Sequence, residues 1–199
     1  MIHKEKRYIS IFKFLLIIFL PISIFLTILQ FYAFSKDFYL DEFEKYNIYK
    51  ATKMSKEDVS KVTDILISYI KGETDNLSIK ARIDGKIEEV FGEREKKHMV
   101  DVQKLFNKGY KLKNMSLMIS LLSMIIILLF ARNKSRAAFK GLLWSGVLTF
   151  ILMISLFILV KIDFYKYFTI FHEIFFTNDL WMLNPKTDIL IQMLPLEFF

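Results

Sequence analysis

The run Leu142–Val160, LLWSGVLTFILMISLFILV, contains no charged residue. A helix of about 20 apolar residues crosses a ~30 Å hydrocarbon core, and this run is close to that length. A helix on the surface of a soluble domain keeps a charged face, which this one lacks. Two more uncharged runs precede it, Phe14–Phe34 and the shorter Met115–Phe130. Together they account for a chain that is 54% hydrophobic, with a mean hydropathy of +0.35. The reading is a mainly α-helical integral membrane protein with three transmembrane helices.

Charge orients the three spans. Lys4, Lys6, Arg7 and Lys13 stand before the first span against the single acid Glu5, and Arg132, Lys134, Arg136 and Lys140 lie between the second and third with no acid. These two segments carry the whole net charge of +7, and all other charges cancel. Basic residues mark cytoplasmic loops, so both segments are placed inside. The expected order is a cytoplasmic start (1–13), a first transmembrane helix (14–34) and an extracytoplasmic α+β domain (35–113). A second transmembrane helix (114–130), a cytoplasmic loop (131–140) and a third transmembrane helix (141–160) follow, then an extracytoplasmic interfacial segment (161–199). The first span is longer than a signal peptide's apolar core and reads as a retained anchor, with Pro21 as a possible kink. The large segment masses no basic patch, which argues against nucleic acid. There is no cysteine, which removes disulfides, thiolate ligands and a thiol nucleophile.

Within the large segment, Phe38, Tyr39, Phe43, Tyr46 and Tyr49 fall close to helical spacing, facing headgroups or the domain's own core. Ser55-Lys56-Glu57-Asp58 resembles a capping box and opens a helix through Val59, Val62, Leu66 and Tyr69, which Gly72 stops. Leu77, Ile79, Ala81 and Ile83 alternate with polar residues up to Asp84-Gly85, predicting a β-hairpin over about Leu77–Phe91. Helical spacing returns from Glu93 to Gly109 and puts His98, Asp101 and Val102 on one face. Beyond the third span, Phe164, Tyr165, Tyr167 and Phe168 suit an interfacial belt, and Gln192, Pro195 and Glu197 make Ile189–Phe199 a poor fourth span.

Three histidines are present, and His3 lies in the basic start. His98 and His172 both fall on the outer side, with Asp101 beside one and Glu173 and Asp179 near the other. An imidazole takes and gives a proton near neutral pH, and an adjacent acid can fix its tautomer. The same spacing also suits histidines that only hydrogen-bond at a wet surface. A metal held by the two imidazoles with Asp101 or Asp179 is a weaker reading, because no ligand pair is local in sequence. No serine elbow is present in the outer segments. Asn178 is a candidate oxyanion donor or a local turn residue. Trp181 reads as an interface anchor.

The stretches Glu95-Lys96-Lys97-His98-Met99-Val100-Asp101-Val102 and Phe171-His172-Glu173-Ile174-Phe175-Phe176-Thr177-Asn178-Asp179-Leu180-Trp181 resemble the lipoprotein intramolecular transacylases of Gram-positive bacteria. So do Asn184-Pro185-Lys186-Thr187-Asp188 and Leu194-Pro195-Leu196-Glu197-Phe198-Phe199. The resemblance implies a membrane acyltransferase acting on bacterial diacylated lipoproteins. It would move the sn-2 acyl chain of the diacylglyceryl-cysteine to its α-amino group, giving the lyso-form. It implies that His98 and His172 carry the chemistry. From the residues themselves, Asp101, Glu173, Asn178 and Asp179 are the expected supporting groups, and an acid–base scheme built on them requires no cofactor or metal. The resemblance also implies a fourth membrane helix after Glu197-Phe198-Phe199, a segment missing from this sequence. Other readings open on the residues alone are a receptor or assembly scaffold with an outer sensor domain, and a metal-dependent membrane hydrolase.

Overall fold

A computed structural model describes residues 2–198, with the side chains of its first helix described from Tyr8 onward. The basic side chains Lys4, Lys6 and Arg7, with Glu5 and His3, therefore lie outside the described residues. The chain divides into two compact units, one of residues 1–30 and 108–162, the other of 31–107 and 163–199.

The first unit is built from three long helices: α1 (Ile2–Ala33), the later part of α5 (Glu93–Phe130) and the earlier part of α6 (Lys134–Phe175). All three are long and apolar enough to cross a membrane. Helix α1 runs through Pro21 without a break. Leu16, Ile127, Ala131 and Ala138 form its buried cluster, while large apolar side chains such as Leu129, Phe150 and Phe157 are exposed, as hydrocarbon as solvent requires. Hydroxyls in such helices can find partners in backbone carbonyls one turn earlier. Thr27 donates to Ser23 O at 2.6 Å, Ser120 to Ser116 O at 2.8 Å and Thr149 to Ser145 O at 2.9 Å.

The second unit has its own core, centred on Phe43, Ile48, Val59, Leu66, Phe91 and Met193. Its helices begin and end where local chemistry dictates. Ser35 caps α2 (Lys36–Lys45), and Asn47, at φ 54°, leads into α3 (Ile48–Thr52). Ser55 accepts from the Asp58 N–H at 3.1 Å and opens α4 (Lys56–Lys71), which Gly72 closes at φ 77°. The hairpin follows as β1 (Lys80–Ile83) and β2 (Lys86–Glu89), paired antiparallel from Lys80↔Glu89 to Ile83↔Lys86. Asp84 and Gly85 both take positive φ, 51° and 82°, the pair of angles a two-residue turn of this hand demands.

Three features differ from the sequence reading. The helix expected to stop near Gly109 continues as α5 to Phe130, because a glycine ends a helix only by turning left-handed, and Gly109 does not. The third apolar run does not end its helix at Val160 either. The chain breaks at Asp163 (φ −161°, ψ 88°) and restarts at once, the Asp163 carboxylate accepting from the Lys166 N–H at 3.0 Å. Of the two placements left open for the first aromatics, Tyr39 and Phe43 take the domain's own core. The tail expected at the interface instead inserts α7 (Ile189–Met193), with Ile189, Leu190 and Met193, into the second unit's core. The ring of Phe198 lies 5.4 Å from that of Tyr39.

Candidate active site

Helix α5 opens on Gly92, whose N–H is taken by the Glu95 carboxylate at 2.6 Å, the glutamate half of a capping box. The other oxygen of Glu95 accepts from the Leu190 N–H at 2.7 Å, tying the tail to α5. Glu95 is only 3% exposed, and burial holds its carboxyl above the usual range against the pull of these two N–H groups. One turn later α5 presents His98, 7% exposed.

After the restart at Asp163, α6 carries Phe168, His172 and, just past its end, Phe176 at four-residue intervals, so the three share a face. His172 is 8% exposed. Its Nδ1 lies 2.7 Å from the Phe168 carbonyl oxygen. A carbonyl only accepts, so Nδ1 carries the proton of the neutral ring and Nε2 keeps a lone pair. The His98 and His172 rings are 6.1 Å apart, tilted by 35°, and Phe176 sets its edge against His98 at 5.3 Å. His98 Nδ1 is buried and has no hydrogen-bond partner among the described residues.

Burial pulls the His98 imidazole down to about 4, with the neighbouring His172 acting the same way and Asp101 opposing. Burial also lowers His172, the Phe168 carbonyl opposing. Both rings are therefore neutral at pH 7 and able to accept a proton.

The acids expected to steer the histidines have other partners or none. Asp101 accepts from Asn178 Nδ2 at 2.9 Å and pairs with Lys104 at 3.3 Å, and these two, Asn178 first, hold its carboxyl below the usual range. Asn178 in turn accepts from the Leu180 N–H at 3.1 Å, so one of its N–H groups and its carbonyl serve the turn, leaving one N–H. Arg94 donates to the Asp179 carbonyl and pairs with its carboxylate at 3.6 Å. Glu173 is exposed and has no hydrogen bond or ion pair among the described residues. The turn these bonds hold carries Trp181 onto His172, ring centres 4.8 Å apart. Trp181 thus packs on a histidine where the sequence suggests an interface anchor, and Glu95, which the sequence offers only as part of a longer stretch, ties α5 to the tail. The four-residue aromatic spacing around His172 is the available signal for its packing; Glu95, three residues after Gly92, carries a local capping signal, but its second partner, Leu190, is remote in sequence. No group of three or more His, Asp or Glu side chains among the described residues is placed to hold a metal.

The model of the lipoprotein intramolecular transacylase family, Lit, matches residues 14–199. The chain belongs to the Lit family. Three solved structures of the membrane-integral transacylase Lit from Bacillus cereus are similar to it. One is 27% identical with a TM-score of 0.82, covering 98% of this chain and 85% of that one. The other two, in which a single histidine is replaced by arginine or by alanine, are 25% identical with TM-scores of 0.78. They cover 100% of this chain and 83% or 84% of those chains. A comparison with curated protein sequences gives no match. This Lit-family chain is a membrane protein, of a family of enzymes that act on lipoproteins.

Proposed function

We propose that this chain spans the membrane three times and works at its outer face. There it transfers the sn-2 acyl chain of a lipoprotein's diacylglyceryl-cysteine to the α-amino group of that cysteine, with His98 and His172 as acid–base catalysts. The observation that carries the reading is the meeting of the two imidazoles, drawn from distant segments, buried and 6.1 Å apart between ring centres. Positive charge on the start and on the 131–140 loop supports the orientation.

In this scheme the α-amine nitrogen attacks the ester carbonyl. A neutral imidazole takes the amine proton, and the pair returns a proton to the glyceryl oxygen as the C–O bond breaks. An amide C–N bond replaces the ester, the glycerol gains a free hydroxyl, and no water is consumed. On His172 the reacting nitrogen is Nε2, since Nδ1 is engaged by Phe168. The imidazolium formed on the way, with the remaining N–H of Asn178, offers positive potential to the oxyanion. Amine and ester belong to one substrate, so holding the headgroup in one pose supplies much of the rate by proximity. A metal has no part in this scheme.

The test is mass spectrometry of lipoprotein N-termini in a cell lacking any other source of lyso-lipoprotein. The wild-type chain yields the lyso-form, and His98→Ala or His172→Ala, confirmed folded by thermal melting, abolishes it. Undiminished product from both variants would remove these residues from the mechanism; no product from the wild type would remove the transacylase reading.

A further inference from the structure

We infer that Trp181 is a positioning residue for His172, holding its ring and stabilising the imidazolium that forms when it accepts a proton. The inference rests on the acid–base role proposed for His172. Three observations support it. The indole and imidazole lie 4.8 Å apart at 33°, a tilted stack. Phe168 adds a second ring at 4.1 Å. The turn bearing Trp181 is fixed to α5 at two points, by Arg94 on the Asp179 carbonyl and by Asn178 on Asp101. Two anchors on the helix that carries His98 suit a device that sets the geometry of the histidine pair better than they suit a side chain that merely fills space.

Aromatic rings attract cations through their negative faces, most strongly for an indole. A buried imidazole has lost the water that would otherwise stabilise its charge; the Phe168 carbonyl on Nδ1 offsets part of that loss, and the aromatic faces add to it. The charged and titratable groups on the surrounding elements are His98, Arg94 and Asp101 on α5, Asp179 on the turn and Glu173 on its own helix. Arg94 and Asp179 pair with each other, and Asp101 is engaged by Asn178 and Lys104. The aromatic contact is thus the partner whose removal changes the energy of the protonated ring with no rearrangement of charge.

The chain has two tryptophans, and Trp144 lies in the other unit, exposed among apolar residues. Trp144→Phe therefore leaves Trp181 as the sole reporter, and a protonated imidazole quenches an indole that it touches. Emission of the purified full chain in micelles should fall on acidification with a midpoint below pH 6.5, and this response should vanish when His172→Gln is added. Emission that is flat from pH 4 to 8, or indifferent to His172→Gln, overturns the inference whether or not the chain makes lyso-lipoprotein. In the lipopeptide assay, Trp181→Leu should lower kcat about five- to tenfold with KM within about twofold, and Trp181→Phe should recover most of it. A folded Trp181→Leu chain with wild-type kcat and pH profile also overturns it. Should Trp181→Leu not fold, the fluorescence titration, made with Trp181 intact, decides.

Discussion

Glu95 offers a sharp test of how the second unit is held together. Its carboxylate is buried and accepts one N–H from Gly92 and one from Leu190. Replacing it by alanine leaves the Leu190 N–H without an acceptor in the core, a cost of about 1–3 kcal/mol, while the Gly92 N–H, in an exposed residue, reaches water and loses about 0.5–1 kcal/mol. The expected loss is about 2–4 kcal/mol, or roughly 5–15 °C in melting temperature at a few degrees per kcal/mol. Glutamine should fare better. The upward displacement of the carboxyl says that burial disfavours the charge more than the two donors favour it, and the glutamine carbonyl still accepts from one of them. Thermal melting of purified Glu95→Ala and Glu95→Gln chains, with hydrogen exchange at the Leu190 amide, measures both effects. If glutamine destabilises as much as alanine, the charge itself is stabilising and the argument from burial is wrong. If alanine melts with the wild type, the Leu190 amide finds another acceptor and Glu95 is not the tie.

Two more outcomes follow from the geometry. Both histidines are held below the ordinary value, so the base form is lost only as pH falls through those lowered pKa values. The substrate amine loses its proton near ~8. The rate on a lipopeptide should therefore climb from about pH 6 to 8 with the substrate's amine and show no histidine limb at 6.5; a limb there, with a plateau above pH 7, would contradict the buried neutral pair. In the first unit, a Cβ on Gly141 would come within 2.9 Å of Leu16 Cδ2, and Leu16 is fully buried. Gly141→Val should cost about 1–3 kcal/mol by overpacking, read as a lower melting temperature, and Leu16→Ala in the same chain should recover part of it if that clash is the cause.

Much of the architecture is written locally and was legible. The uncharged runs announced three spanning helices, Ser55 and Gly72 bracketed α4, and Asp84-Gly85 fixed the hairpin turn, because each depends on neighbours within a few residues. What escaped the sequence was non-local. Gly109 looked like a stop since its conformation could not be read, yet in the fold it is an ordinary helical residue. Ile189, Leu190 and Met193 carry the spacing of a buried face, but a core and an interface ask for the same apolar side chains, and only the three-dimensional fold distinguishes them. The histidines were visible as an oddity of composition; that they meet, that a main-chain carbonyl rather than an acid orders His172, and that Trp181 lies on it depend on contacts between remote segments. Asp101 was singled out for standing one turn from His98, and its actual partner is Asn178, far along the chain.

The second unit is assembled from two pieces separated in sequence by residues 108–162. Met193 and Phe198 pack with aromatics that stand more than a hundred residues earlier in the chain. Residues 31–107 alone consequently leave an opening in the unit's core, and leave His98 without His172 beside it, until residues 163–198 are in place. The histidine pair and the apolar core of its unit are therefore completed together, by the same downstream segment of the chain.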